Sequence, residues 1–322
     1  KMLYLANLVY GILQLSNPKI VKETGPPQSC LLQPVFFFFF FEILSLLFFI
    51  LCVQVRSFFL EVEGNLMALL RACLNSEREI STCVISSFVE HFQSVETEDE
   101  GWGCGWRNIQ MLCSHLLTRR EGKEAMFGGL GFVPDIASLQ RWLEIAWKRG
   151  FDAVGSNLLG NKVYGTDKWI STAECATLFR SFGLRARIVD FGSKEPRAEP
   201  MTSLDDVLIS WIWNYFSDGE FSRLENRVTI STKSPLCFQH QGHSRTIVGI
   251  QVKQLQIDGS RQYTLLILDP DHKTEALERS LKQNSGWQRL IKRGCLCYVD
   301  QGIAHGKERE QLKTVSSIYF EA

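Results

Sequence analysis

The chain has 322 residues, 35 Lys plus Arg balanced by 35 Asp plus Glu, and 45% apolar residues. With charge balanced, no net charge drives the chain toward nucleic acid or acidic lipid, and the apolar fraction is ordinary for a globular protein. The ten cysteines show no compact repeat, no Cys-x-x-Cys pair and no following His-x₃₋₅-His, against a disulfide framework and against a zinc site. The expectation is a reduced intracellular protein with mostly buried thiols and no metal or organic cofactor.

Residues 1–58 differ from the rest. Val35 to Val55 is nearly continuous apolar sequence, interrupted by Glu42 and Gln54 and holding six consecutive phenylalanines, Phe36 to Phe41. About 20 apolar residues can span a bilayer. For a signal peptide the run begins too far in, and no small-residue cleavage site follows. A pyrimidine tract ahead of a splice acceptor, read through, would translate to the same Phe/Leu/Ser run, and the missing start methionine fits that. Three readings stand open: a translated intron, a membrane anchor and a core helix.

Residues 59–322 read as one compact domain. Leu60 to Leu74 is helical, Ile80 to Phe92 is a short helix or strand, and Ser94 to Glu100 is an acidic loop. That loop leads into Gly101-Trp102-Gly103-Cys104-Gly105-Trp106-Arg107-Asn108. Apolar positions at Ile109, Leu112, Cys113, Leu116 and Leu117 then predict a helix with one buried face and Cys104 at its N-terminus. Unpaired N–H groups and the positive dipole end favour a thiolate there. The glycines leave room for another backbone, and the tryptophans can wall a slot.

Further along, Asp135 to Lys148 predicts a helix stopped at Gly150. Ser171-x-x-Glu174 reads as a capping box for a helix ending at Gly183, and Ser203-x-x-Asp206 opens another running to about Phe216. Strands are predicted at Arg185 to Phe191, Leu236 to His240, Thr246 to Val252, Tyr263 to Leu268 and Leu296 to Val299. Helices followed by strands argue for an α+β fold, a central helix carrying the nucleophile against a largely antiparallel sheet.

A thiolate nucleophile needs a base, and the base an orienting group. Of six histidines, His115 lies eleven positions along the cysteine's own helix and His305 in a polar tail. His240 and His243 flank Gly242 at a strand junction. Strict alternation puts Gln239, Gln241 and His243 on one face and His240 on the other. Gln239 is then a candidate oxyanion donor beside the base. Asp269, stopped by Pro270 at a strand end, is the candidate orienting carboxylate. The order Cys104, His243, Asp269 makes a triad.

The motifs around Cys104, Gln-His-Gln-Gly-His-Ser-Arg-Thr (239–246) and Leu-Ile-Leu-Asp-Pro (266–270) resemble the ubiquitin-fold-modifier-specific peptidase family, in particular its zinc-finger-bearing subgroup. The resemblance runs from about Ser86 to Asp269. It implies a papain-like cysteine protease fold and a deubiquitinase acting on polyubiquitin chains in cytoplasm and nucleus. Alternatives are a peptidase for the ubiquitin-fold modifier and a catalytically silent ubiquitin binder. A membrane partner is implied only if residues 35–55 are genuine. Much of the family carries Asp-Pro-His, whose histidine is the base; here that place is Asp271, so His243 is the implied base and His272 a fallback. The resemblance also implies that Asp152, Trp169 and Glu174 hold the modifier's arginine-bearing, Gly-Gly-ended tail, with Trp106 as an aromatic wall where tyrosine is usual. The subgroup's zinc fingers and ubiquitin-binding helices are not recognisable in this sequence.

Overall fold

Branched and aromatic runs pair into a mixed sheet, and the apolar helix faces cover it. The computed structural model describes residues 65–77, 81–120, 122, 126, 132–191, 204–218, 227–240, 242–254, 261–283 and 295–303. In chain order these form α1 (Asn65–Ser76), β1 (Ser81–Ser86), α2 (Cys104–Leu117), α3 (Ile136–Lys148), α4 (Ala153–Leu158), α5 (Thr172–Ser181) and β2 (Leu184–Asp190). Then come α6 (Leu204–Ser217), β3 (Val228–Ser231), β4 (Leu236–His240), β5 (His243–Gln254), β6 (Arg261–Leu268), α7 (Thr274–Lys282) and β7 (Cys295–Ile303). The apolar run Val35 to Val55 and His305 lie outside the described residues. No described helix is long and apolar enough to cross a membrane.

The strand order is β2-β7-β4-β5-β1-β3, with β6 also pairing β5. Among the described strands only β1 and β3 run parallel; the other pairs are antiparallel. This is the expected α+β arrangement, a papain-like layout with α2 lying on β5 and β4. Against β5 on its other side, α6 packs Leu208, Ile212, Trp213 and Phe216 into a core with Leu236, Phe238, Ile247 and Ile250.

Helix α2 differs from the one-faced helix predicted for it. It is buried without a break from Gly105 to Leu116. Its polar side chains therefore need partners inside the protein. Gln110 donates to the Pro134 carbonyl at 2.7 Å, Ser114 accepts from Glu90 N–H at 2.9 Å, and His115 Nδ1 lies 2.9 Å from the Phe88 carbonyl. Apolar spacing alone could not reveal this, because the polar face is buried as well.

Caps are where the predictions meet the structure most closely. Asp135 accepts from Ser138 N–H at 2.7 Å and opens α3, and Ser171 with Glu174 forms a full capping box on α5. Gly150 and Gly183 end those helices at φ +84° and +79°, a conformation only glycine adopts at little cost. By contrast β3, α4 and α7 had no prediction, and β5 starts three residues before the predicted Thr246.

Candidate active site

Helix α2 begins at Cys104 because one buried carboxylate ties off the loop before it. Asp99 accepts from Val95 N–H at 2.9 Å and from the Arg107 guanidinium at 3.0 and 2.5 Å. Its carbonyl accepts from the N–H groups of Trp102 and Gly103. Asn108 then locks the first turn to the sheet, donating to the Cys104 carbonyl at 2.6 Å and accepting from the Thr246 hydroxyl on β5. None of Asp99, Arg107 and Asn108 was a predicted site residue. An acid five residues before the cysteine and an arginine three after it were the available signal.

The Cys104 thiol is half-buried. Burial pushes it up from its ordinary value, hydrogen bonds from the Ser244 N–H and hydroxyl and from Gly105 N–H pull it down, and the Asp271 carboxylate adds to the rise. The net direction is upward. This upward direction runs against the expectation from sequence that the helix N-terminus lowers the thiol. Ser244, likewise missed, is the thiol's main polar neighbour.

Strands β4 and β5 are joined through a two-residue turn in which Gly242 has φ +81°. His240 consequently pairs with His243, and Gln239 with Ser244. Directly opposed residues share a sheet face. Gln239 thus lies with Ser244 and Thr246 toward α2, whereas His243 lies with His240 and Arg245 on the other face. This corrects the predicted sharing of a face by Gln239 and His243, because alternation had been carried straight through a turn at which the chain reverses.

His243 is the first residue of β5, and its side chain is 54% exposed. Its Nδ1 stands 3.8 Å from Asp271 Oδ2. Asp269, the predicted orienting group, is engaged elsewhere. Its Oδ2 accepts from Arg245 Nε at 2.6 Å and its Oδ1 from Asp271 N–H at 3.2 Å. Register explains the exchange. Thr246 opposes Leu268, so continuing outward sets Arg245 opposite Asp269 and His243 opposite Asp271. His272, the fallback base, donates its backbone N–H to the Asp269 carbonyl at 3.0 Å.

Gln239 Oε1 accepts from Thr172 N–H at 3.2 Å. A backbone N–H only donates, so the amide oxygen faces it, and Nε2 is the donor end of the side chain.

The predicted substrate contacts divide. Trp106 is 0% exposed and donates from Nε1 to the Lys168 carbonyl at 3.3 Å. It supports the 168–170 segment from below and does not wall a slot. Asp152 is 2% exposed, caps α4 through Gly155 N–H at 2.9 Å and accepts from the Thr177 hydroxyl at 3.3 Å. Glu174 is buried in the capping box, accepting from Ser171 N–H at 2.7 Å. Both carboxylates serve helix termini, whose unpaired N–H groups attract them. Trp169 alone is open, 51% exposed. A methyl group on Gly242 would come within 3.1 Å of its ring, so the indole leans on the hairpin turn beside His243.

Comparison with known proteins comes to the same region. The profile of peptidase family C78 matches residues 78–301. Zinc finger-containing ubiquitin peptidase 1 of Homo sapiens is 37% identical over 225 residues, covering 70% of this chain and 36% of that protein. Ubiquitin carboxyl-terminal hydrolase mug105 of Schizosaccharomyces pombe is 35% identical over 184 residues, 57% of this chain and 65% of that protein. Among solved structures, UfSP from C. elegans aligns with a TM-score of 0.44 and 13% identity, over 73% of this chain and 37% of that one. The chain thus spans little more than a third of the length of its human relative.

Proposed function

The chain belongs to peptidase family C78, and on that premise we propose that it is a cysteine deubiquitinase cleaving isopeptide bonds after the C-terminal glycine of ubiquitin in polyubiquitin. The observation that carries the reading is Cys104 at the first position of a buried helix, its thiol bonded to Ser244, the immediate neighbour of His243. The ubiquitin specificity rests on the relatives, named as ubiquitin peptidases at 35–37% identity.

In this reading His243 is the base. It is half-exposed as the first residue of β5 and precedes Ser244, which bonds the Cys104 thiol. It takes the thiol proton as sulfur attacks the glycine carbonyl carbon, and the C–N bond breaks as the imidazolium returns that proton to the leaving lysine amine. Gln239 Nε2 and the Cys104 N–H receive the charge on the carbonyl oxygen. Water, deprotonated by His243, then hydrolyses the thioester. A carboxylate of the Asp269–Asp271 turn orients the imidazole. Trp169 closes the slot over the Gly-Gly tail, where only residues without side chains pass.

The test is release of a fluorophore from the C-terminal amide of ubiquitin and, in parallel, of the ubiquitin-fold modifier. Turnover of ubiquitin that vanishes in Cys104→Ala with the thermal midpoint unchanged is expected. Turnover of the other modifier alone would replace ubiquitin as substrate, and residual activity in Cys104→Ala would remove it as nucleophile.

A further inference from the structure

We propose that Asn108 is a positioning residue for the reaction: bridged to the Thr246 hydroxyl, its side chain sets the register of α2 on β5 and thereby fixes the Cys104 sulfur and N–H. The proposal rests on the reading of Cys104 as the nucleophile.

Three observations carry it. The first is burial. Asn108 and Thr246 are both 0% exposed, so water cannot replace a hydrogen bond that either of them loses. Asn108 Nδ2 donates to the Cys104 carbonyl at 2.6 Å, and the Thr246 hydroxyl donates to Oδ1. A carbonyl only accepts, so Nδ2 must face Cys104 and the amide orientation is fixed.

The second observation is that this bridge runs from helix to sheet. The other buried polar side chains of α2 reach loops, Gln110 to Pro134, Ser114 to Glu90 and His115 to Phe88. Arg107 joins the helix to Asp99 in the loop before it.

The third observation is spacing. Ser244, which bonds the Cys104 thiol, and Thr246 stand two apart on one face of β5. Two residues of strand rise about 7 Å, and the helical turn from Cys104 to Asn108 rises about 6 Å. The two contacts are thus commensurate and pin the start of α2 at two points. Gln239 opposes Ser244 on the same face, so this register also sets the Cys104 N–H relative to the Gln239 side chain. With one pin removed, the helix start is free to shift along β5. A shift of about 1 Å costs on the order of 10²-fold in rate.

The test compares Thr246→Val, Thr246→Ser and the double variant Asn108→Leu/Thr246→Val. Three quantities are read: the thermal midpoint, the rate of Cys104 alkylation by iodoacetamide at neutral pH, and kcat and KM on the ubiquitin amide. Thr246→Val strands the buried Oδ1 and should lower the midpoint. The double variant, apolar at both partners, should regain most of it. In both, alkylation should nevertheless slow by about 2–10-fold, the worth of one Ser244 hydrogen bond, and kcat should fall on the order of 10²-fold with KM unchanged. Thr246→Ser, which keeps the hydroxyl, should restore all three. A double variant that regains its midpoint and also alkylates or turns over at the wild-type rate would overturn the proposal, because the pair would then serve stability alone. Alkylation is read without ubiquitin, so failure of the deubiquitinase reading would show as absent turnover in the wild type and leave this comparison intact.

Discussion

At the scale of single residues, reactivity at Cys104 is a contest between burial and hydrogen bonds. Desolvation raises the thiol, and the Ser244 donors oppose it. Ser244→Ala removes the hydroxyl and keeps the backbone N–H. Iodoacetamide alkylation of Cys104 at neutral pH should slow by a factor of about 2–10, what one hydrogen bond of about 0.5–1.5 kcal/mol is worth. An unchanged rate would mean that the hydroxyl does not touch the reactive thiolate. The same contest separates Trp169 from Trp106. The indole beyond the helix start stays open, and the one inside the first turn is consumed by packing.

At the scale of elements, the site depends on how closely the 168–171 segment crosses the start of α2. A methyl group at Gly105 would lie 2.6 Å from Ile170 Cγ1 and 3.0 Å from the Ile170 carbonyl oxygen. Since backbone must then move, Gly105→Ala should lower stability by about 1–3 kcal/mol, the range for overpacking, and reduce kcat/KM by displacing Trp169 and the Gln239–Thr172 contact. Denaturant midpoints and kinetics on one preparation check both. Elements of this kind were legible where local chemistry specifies them. Asp135 and the Ser171–Glu174 box marked helix starts through capping, and Gly150 marked a stop through its left-handed backbone. The cysteine helix and the strand ending before Asp269 were legible for the same reason. What escaped the sequence depends on pairing between distant segments. The reversal at Gly242 exchanged the faces of Gln239 and His243, and the β5–β6 register gave Asp269 to Arg245. Asp152 caps α4, a role its position before Ala153 did not announce, because the N-terminal N–H groups of a helix compete for a carboxylate more locally than any substrate does.

At the scale of the whole molecule, two buried histidines on opposite sides of the cysteine motif set its tolerance of acid. Burial lowers His91 to about 4 and His115 to about 4. Both folded values lie below the unfolded value of about 6.5, so the unfolded chain takes up protons that the folded protein refuses. Their effect on stability is absent above pH 6.5 and grows as a loss while pH falls toward 4, about 3 kcal/mol for each histidine. Urea midpoints should drop steeply across that window, and His91→Gln should flatten the drop. Equal slopes in the two proteins would show that His91 is protonated in the folded state. His91 also grips the Asp269 carbonyl, so the same loss would loosen the turn that carries Asp271.

Cys104 as the nucleophile of a ubiquitin-directed peptidase is tested most directly by ubiquitin bearing a C-terminal propargyl group, with the products read by intact mass and peptide mapping. The account predicts one adduct, one ubiquitin per chain, on the peptide containing Cys104, and none with Cys104→Ala. A folded wild-type protein that forms no adduct with ubiquitin, or forms it on another cysteine, would contradict it.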